Sequence, residues 1–81
     1  MNTTTLKTLN TLVKKLSITE DAFYVTSLRM GEIEFQGYMK AETFQIAREL
    51  GITLEQHPTN SWFNGNAKFE GINIRLCLTI G

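Results

Sequence analysis

The sequence predicts a small α+β domain, with two helices packed on a mostly antiparallel sheet in the order α-β-β-α-β-β-β, and three patterns carry that prediction. Apolar residues recur at helical spacing in two segments. Two pairs of strand-like runs meet at tight-turn residues. The last run alternates strictly between apolar and polar positions over residues 72–80. With 81 residues, 42% of them hydrophobic, the chain is one domain spanning residues 1–81, since a chain this short supports a single core.

Leu6, Leu9, Val13 and Leu16 fall three and four residues apart, which places them on one stripe of a helix over residues 4–17. Thr3, Thr4 or Thr5 is available to cap its start, and Lys14 and Lys15 suit the negative pole at its end. Residues 22–39 are rich in aromatic and β-branched types on both sides of Met30-Gly31 and read as a hairpin. A two-residue turn there sets Arg29 opposite Glu32, Leu28 opposite Ile33, Thr26 opposite Phe35 and Tyr24 opposite Gly37. The same parity sends Phe23, Val25 and Tyr38 to the other face. Residues 41–50 form a second helix with Ala41, Phe44, Ala47 and Leu50 along one side, closed by Gly51 in the left-handed conformation. Residues 52–57 alternate as a short strand that Pro58 stops, and residues 58–61 are a loop. A crossover from Met39 through the second helix to Ile52 would make the strands it joins parallel.

The final segment offers two turns. Asn64-Gly65 has the better dipeptide for a type I′ hairpin but leaves only a stub of first strand. A turn at Glu70-Gly71 reconciles two parities: Phe63, Gly65, Ala67 and Phe69 then oppose Leu78, Leu76, Ile74 and Ile72, and Ile80 continues the inward row. The outward row becomes Trp62, Asn64, Asn66 and Lys68 opposite Thr79, Cys77, Arg75 and Asn73. The Glu70-Gly71 register is therefore expected.

Eight basic residues balance eight acidic ones, so no overall field draws the chain to nucleic acid or anionic lipid. One cysteine, Cys77, closes no internal disulfide and reads as a packed thiol. The first twenty residues hold no continuous apolar stretch, so neither a signal peptide nor a membrane span is expected, and the chain reads as a small soluble cytoplasmic protein. One cysteine and one histidine, His57, fall short of a zinc set. Glu32 and Glu34 on one strand face read as solvated carboxylates, and singly scattered glycines build no phosphate cradle. No catalytic residue, cofactor or metal is assigned, and enzymatic activity is not expected.

Residues 47–53, Ala-Arg-Glu-Leu-Gly-Ile-Thr, resemble the middle of a helix-turn-helix, where one helix ends at a glycine before a second begins. That resemblance implies a recognition helix next, whereas the following residues reach Pro58 without a lysine or arginine. A capped helix leading into a strand is the preferred reading. The expected function is thus interaction with a protein partner, or with a second copy as a homodimer, through an outward sheet face. That face centres on Trp62 with Phe23 and Tyr38 nearby, His57, Asn60 and Asn64 at its rim, and Lys68 and Arg75 farther along the same row. Such a chain suits a regulator or inhibitor, including one carried by a phage or mobile element. The alternative is nucleic-acid binding, through the helix-turn-helix-like segment at 41–57 or through the aromatic face with Lys68 and Arg75 on phosphates.

Overall fold

The computed structural model describes residues 3–59 and 61–80. Its elements are α1 (Thr3–Leu16), β1 (Val25–Arg29), β2 (Glu32–Tyr38), α2 (Ala41–Leu50), β3 (Glu55–Gln56), β4 (Trp62–Phe69) and β5 (Ile72–Thr79), in the order predicted. Turn chemistry sets both hairpins. Gly31 has φ 76°, and Glu70 and Gly71 have φ 51° and 81°, so both central residues of the second turn are left-handed, as a type I′ connection requires. β1 and β2 pair with Arg29 opposite Glu32, Leu28 opposite Ile33 and Thr26 opposite Phe35. β4 and β5 pair with Phe69 opposite Ile72, Ala67 opposite Ile74, Gly65 opposite Leu76 and Phe63 opposite Leu78.

The strands lie in the spatial order β1-β2-β5-β4-β3. β2 and β5 are parallel, and every other neighbouring pair is antiparallel. The crossover through α2 does join strands that run the same way, because β3 opposes β4, β4 opposes β5 and β5 parallels β2. They are not adjacent, however: β5 and β4 insert between them, and the parallel partner of β2 is the last strand. β3 is two residues long rather than six.

Both helices pack on one face of the sheet. Leu12 of α1 and Ala47 of α2 share a buried cluster with Ile33, Phe35, Ile72, Ile74, Leu76 and Leu78. The helix faces differ from the sequence expectation. On α1 the buried positions are Thr5, Thr8 and Leu12, with Leu9 and Leu16 packed beside them, and Leu6 is exposed. Thr5 tolerates burial because its hydroxyl oxygen accepts the Gly31 N–H at 3.4 Å. On α2 the buried residues are Thr43, Ile46 and Ala47, while Ala41 and Phe44 face solvent. A strict three-residue spacing falls back by about 60° at each step of a 3.6-residue helix, so Ala41, Phe44, Ala47 and Leu50 cannot keep one face. Thr43 takes the inner place by donating its hydroxyl to the Tyr38 carbonyl at 2.7 Å and accepting the Lys40 N–H at 3.1 Å. Ile80 lies beyond the end of β5 and is exposed rather than inward.

Two glycines on the inner face let the chain cross the sheet. A Cβ on Gly65 would collide with the Thr53 carbonyl oxygen and approach Ile52 Cγ2 to 2.8 Å. Asn64-Gly65 is therefore no turn: its glycine admits the segment that follows α2. After Gly51 that segment is extended and ends in β3, so no recognition helix succeeds α2.

Chemical denaturation tests this architecture. Leu76→Ala, at the centre of the inner row, should cost about 2–5 kcal/mol. Gly65→Ala should cost about 1–3 kcal/mol by overpacking, whereas Arg75→Ala on the opposite face should stay within about 0.5 kcal/mol.

Candidate interaction face

Strand alternation builds the second face of the sheet, here the outer face, from residues left over by the core. Among the described residues no helix lies against it. Its residues form four rows across β1, β2, β5 and β4, with Thr79 opposite both Tyr38 and Trp62 in the first row. The second contains Val25, Gln36, Cys77 and Asn64, with Glu55 of β3 beyond them; the third contains Ser27, Glu34, Arg75 and Asn66; the fourth contains Arg29, Glu32, Asn73 and Lys68.

The first row is aromatic. Tyr38 is 50% exposed, Trp62 45% and Tyr24 51%, and the Tyr24 and Tyr38 rings pack with centroids 5.1 Å apart. Trp62 is thus not sealed beneath a loop or helix. His57 donates its backbone N–H to the Trp62 carbonyl at 2.8 Å, which ties the β3–β4 loop to the end of this row. Its ring Nδ1 accepts the Thr59 N–H at 3.2 Å, a local bond across Pro58.

Tyr24 was not legible from parity, and Phe23 is the corresponding correction. Phe23 does not join Trp62 on the outer face. Its ring packs on Phe35 at a centroid distance of 4.7 Å and lies over Gly37, where a Cβ would meet it at 2.8 Å. Regular pairing begins at Val25, opposite Gln36, and Tyr24 also donates its N–H to the Gln36 carbonyl at 3.0 Å, so two residues face one and the alternation shifts there, while the missing side chain of Gly37 opens the space that Phe23 fills. The following residue, Tyr24, then turns outward beside Tyr38. Phe23 also walls a cleft of about 280 Å³ between α1 and β1, with Leu9, Val13, Ile18, Thr26 and Phe35 among its lining residues.

The fourth and third rows are charged. Arg29 Nη1 lies 2.7 Å from Glu32 Oε2 and 3.4 Å from Glu34 Oε1. Asn73 donates to Glu32 Oε1 at 3.1 Å and Gln36 donates to Glu34 Oε2 at 2.9 Å. Both carboxylates are therefore engaged within the face, whereas Lys68 and Arg75 form no ion pair among the described residues. The amide of Asn73, aided by the Arg29 guanidinium, holds the Glu32 carboxyl below its ordinary range against the opposing effect of desolvation.

Cys77, in the middle of the face, is only 7% exposed. Burial, aided by the Glu34 carboxylate, pushes its thiol up, against a smaller opposing effect of Arg75. It is a packed thiol rather than an activated one. Asn64 stands beside it on β4. Lys68 and Arg75 share the outer face but lie toward the end remote from Trp62, and Asn60 falls outside the described residues. Among the described residues no three His, Cys, Asp or Glu side chains gather as a metal site requires, and no helix is long and apolar enough to cross a membrane.

Comparison with protein-family models, with curated proteins and with solved structures finds no match to this chain.

Two measurements check the face. Phe23→Ala should cost on the order of 3 kcal/mol as a core truncation and Tyr24→Ala less than about 1 kcal/mol; the reverse order would restore simple parity. Glu32 has a folded-state pKa below its unfolded one, so its stabilisation is complete above the unfolded value and is lost as pH falls through the folded one. Thermal melts across the acidic range should therefore fall less steeply for Glu32→Gln than for the parent.

Proposed function

We propose that the chain is a non-enzymatic interaction module whose outer sheet face docks a protein surface. One observation carries this reading: Tyr24, Tyr38 and Trp62, each about half exposed, stand along one end of a face that no helix covers among the described residues. A large aromatic side chain buries about 150–250 Å², so each retains roughly 100 Å² to bury, worth on the order of 2 kcal/mol apiece once covered. Aromatic side chains with a polar tip are the usual anchors of such contacts.

Nucleic acid is the weaker reading. Arg29 offsets one of the two carboxylates, Glu32 and Glu34, that would repel phosphate, and among the described residues Lys68 and Arg75 have no ion-pair partner. Yet Lys68 lies six positions along β4 from Trp62, about 20 Å, so that cation and the stacking platform sit at opposite ends. The ionisable side chains of the face also sum to zero, with Arg29, Lys68 and Arg75 against Glu32, Glu34 and Glu55.

Site-specific photo-crosslinking in the native host tests the face. A crosslinker at Asn66 should yield discrete protein adducts that vanish when Trp62→Ala is added, while that substitution leaves the melting temperature within about 3 °C, as expected for an exposed residue of a domain this size. A crosslinker at Gln45, on the exposed side of α2, should yield none. Adducts formed only from Gln45, or adducts to nucleic acid, would refute the reading.

A further inference from the structure

The charge and aromatic pattern of the outer face matches itself. We infer that two copies of this chain pack outer face to outer face about a two-fold axis lying along β5, an inference that rests on reading this face as an interaction surface.

β5 is the middle strand of the five. A half-turn about its direction inverts the face, exchanges β2 with β4 and β1 with β3, and leaves each cross-strand row facing the same row of the other copy. Residues that meet are therefore those on β2 and β4 with a common neighbour on β5. In the first row Tyr38 meets Trp62 of the second copy across Thr79, with Tyr24 alongside. In the second row Gln36 meets Asn64 across Cys77, one side-chain amide against another. In the fourth row Glu32 meets Lys68 across Asn73. A two-fold axis makes each contact twice, so aromatic meets aromatic, amide meets amide and carboxylate meets ammonium on both sides.

Charge complementarity favours this pairing over a slid or inverted one. On the β1–β2 side Arg29, Glu32 and Glu34 sum to one negative charge, and on the β4 side of the same rows Lys68 supplies the opposite charge, with no ion pair of its own among the described residues. The axis runs over Asn73, Arg75, Cys77 and Thr79, of which only Arg75 is long. Arg75 meets its own image with Glu34 beside it in each copy, so the crossing holds both signs. Turning the second copy end for end would instead set the aromatic rows on the charged rows. Aligned sheets cross at about 30°, which preserves the match best near the centre. β2, β5 and β4 each carry four outward residues, β1 three and β3 one, which offers roughly 500 Å² per copy from strand spacing and rise, placing the contact among small, transient interfaces and making it a dimer in exchange with monomer.

The test is a charge exchange read by sedimentation velocity over micromolar to millimolar concentrations, with circular dichroism melts to confirm folding. The parent should dimerise. Lys68→Glu alone sets carboxylate against carboxylate at both copies of the fourth-row contact, and Glu32→Lys alone sets ammonium against ammonium there, so each should weaken dimerisation at least tenfold. Mixed in equal amounts, the two variants pair with opposite charges in that row and should recover a dimer. Gln36→Lys mixed with Asn64→Glu should likewise favour the mixed dimer over either variant alone, and this pair leaves the Glu32 network in place should Glu32→Lys fail to fold. A dimer indifferent to both exchanges would overturn the axis. A monomer at millimolar concentration would overturn the second copy as partner, and Asn66 crosslinks to another protein would then keep the interaction face itself standing. A monomer with no such crosslinks removes both.

Discussion

Everything in this fold depends on β5 being bonded on both edges and packed on its inner side. Ile74, Leu76 and Leu78 are fully buried, with β2 on one flank, β4 on the other and residues of both helices against the same cluster. Placing α1 and α2 on the same side of the sheet concentrates the apolar side chains of a small chain into a single core. The counterpart is a sheet whose other face, among the described residues, has no layer of its own. The outer face is what remains when one core is made as large as the chain allows, and its aromatic end is the part of that face not accounted for by water-seeking side chains.

Strand parity made the sheet legible where pairing is regular. In the last hairpin each inward apolar residue of one strand requires an inward partner on the other, and only the Glu70-Gly71 turn satisfies all four pairs, so register and both faces followed from residue order. Parity failed at Phe23 and Tyr24 because Tyr24 and Val25 both face Gln36, two residues against one, which shifts the alternation, and because the absence of a side chain at Gly37 leaves room for the Phe23 ring. No pattern within residues 22–25 carries that information.

Helix faces were less legible than strands for a related reason. Spacing showed that α1 and α2 are helices, but threonines occupy inner positions on both, and a threonine is admitted to a core only when its hydroxyl has a specific partner. For Thr5 that partner is a backbone N–H in the first hairpin turn, and for Thr43 it is the carbonyl of Tyr38. Such partners belong to tertiary structure and leave no local trace. The strand order was hidden in the same way: nothing in β2 announces that its neighbour is the last strand.

That strand order governs how the domain assembles. The first hairpin and α2 are made long before the strand that occupies the centre of the sheet, and β2 has an unpaired edge until β5 arrives from some forty residues farther along the chain. Closing so large a loop is entropically costly and slows folding. During synthesis the nascent chain therefore exposes the very β2 backbone that its own last strand must claim, and it competes in that interval with any other extended segment within reach.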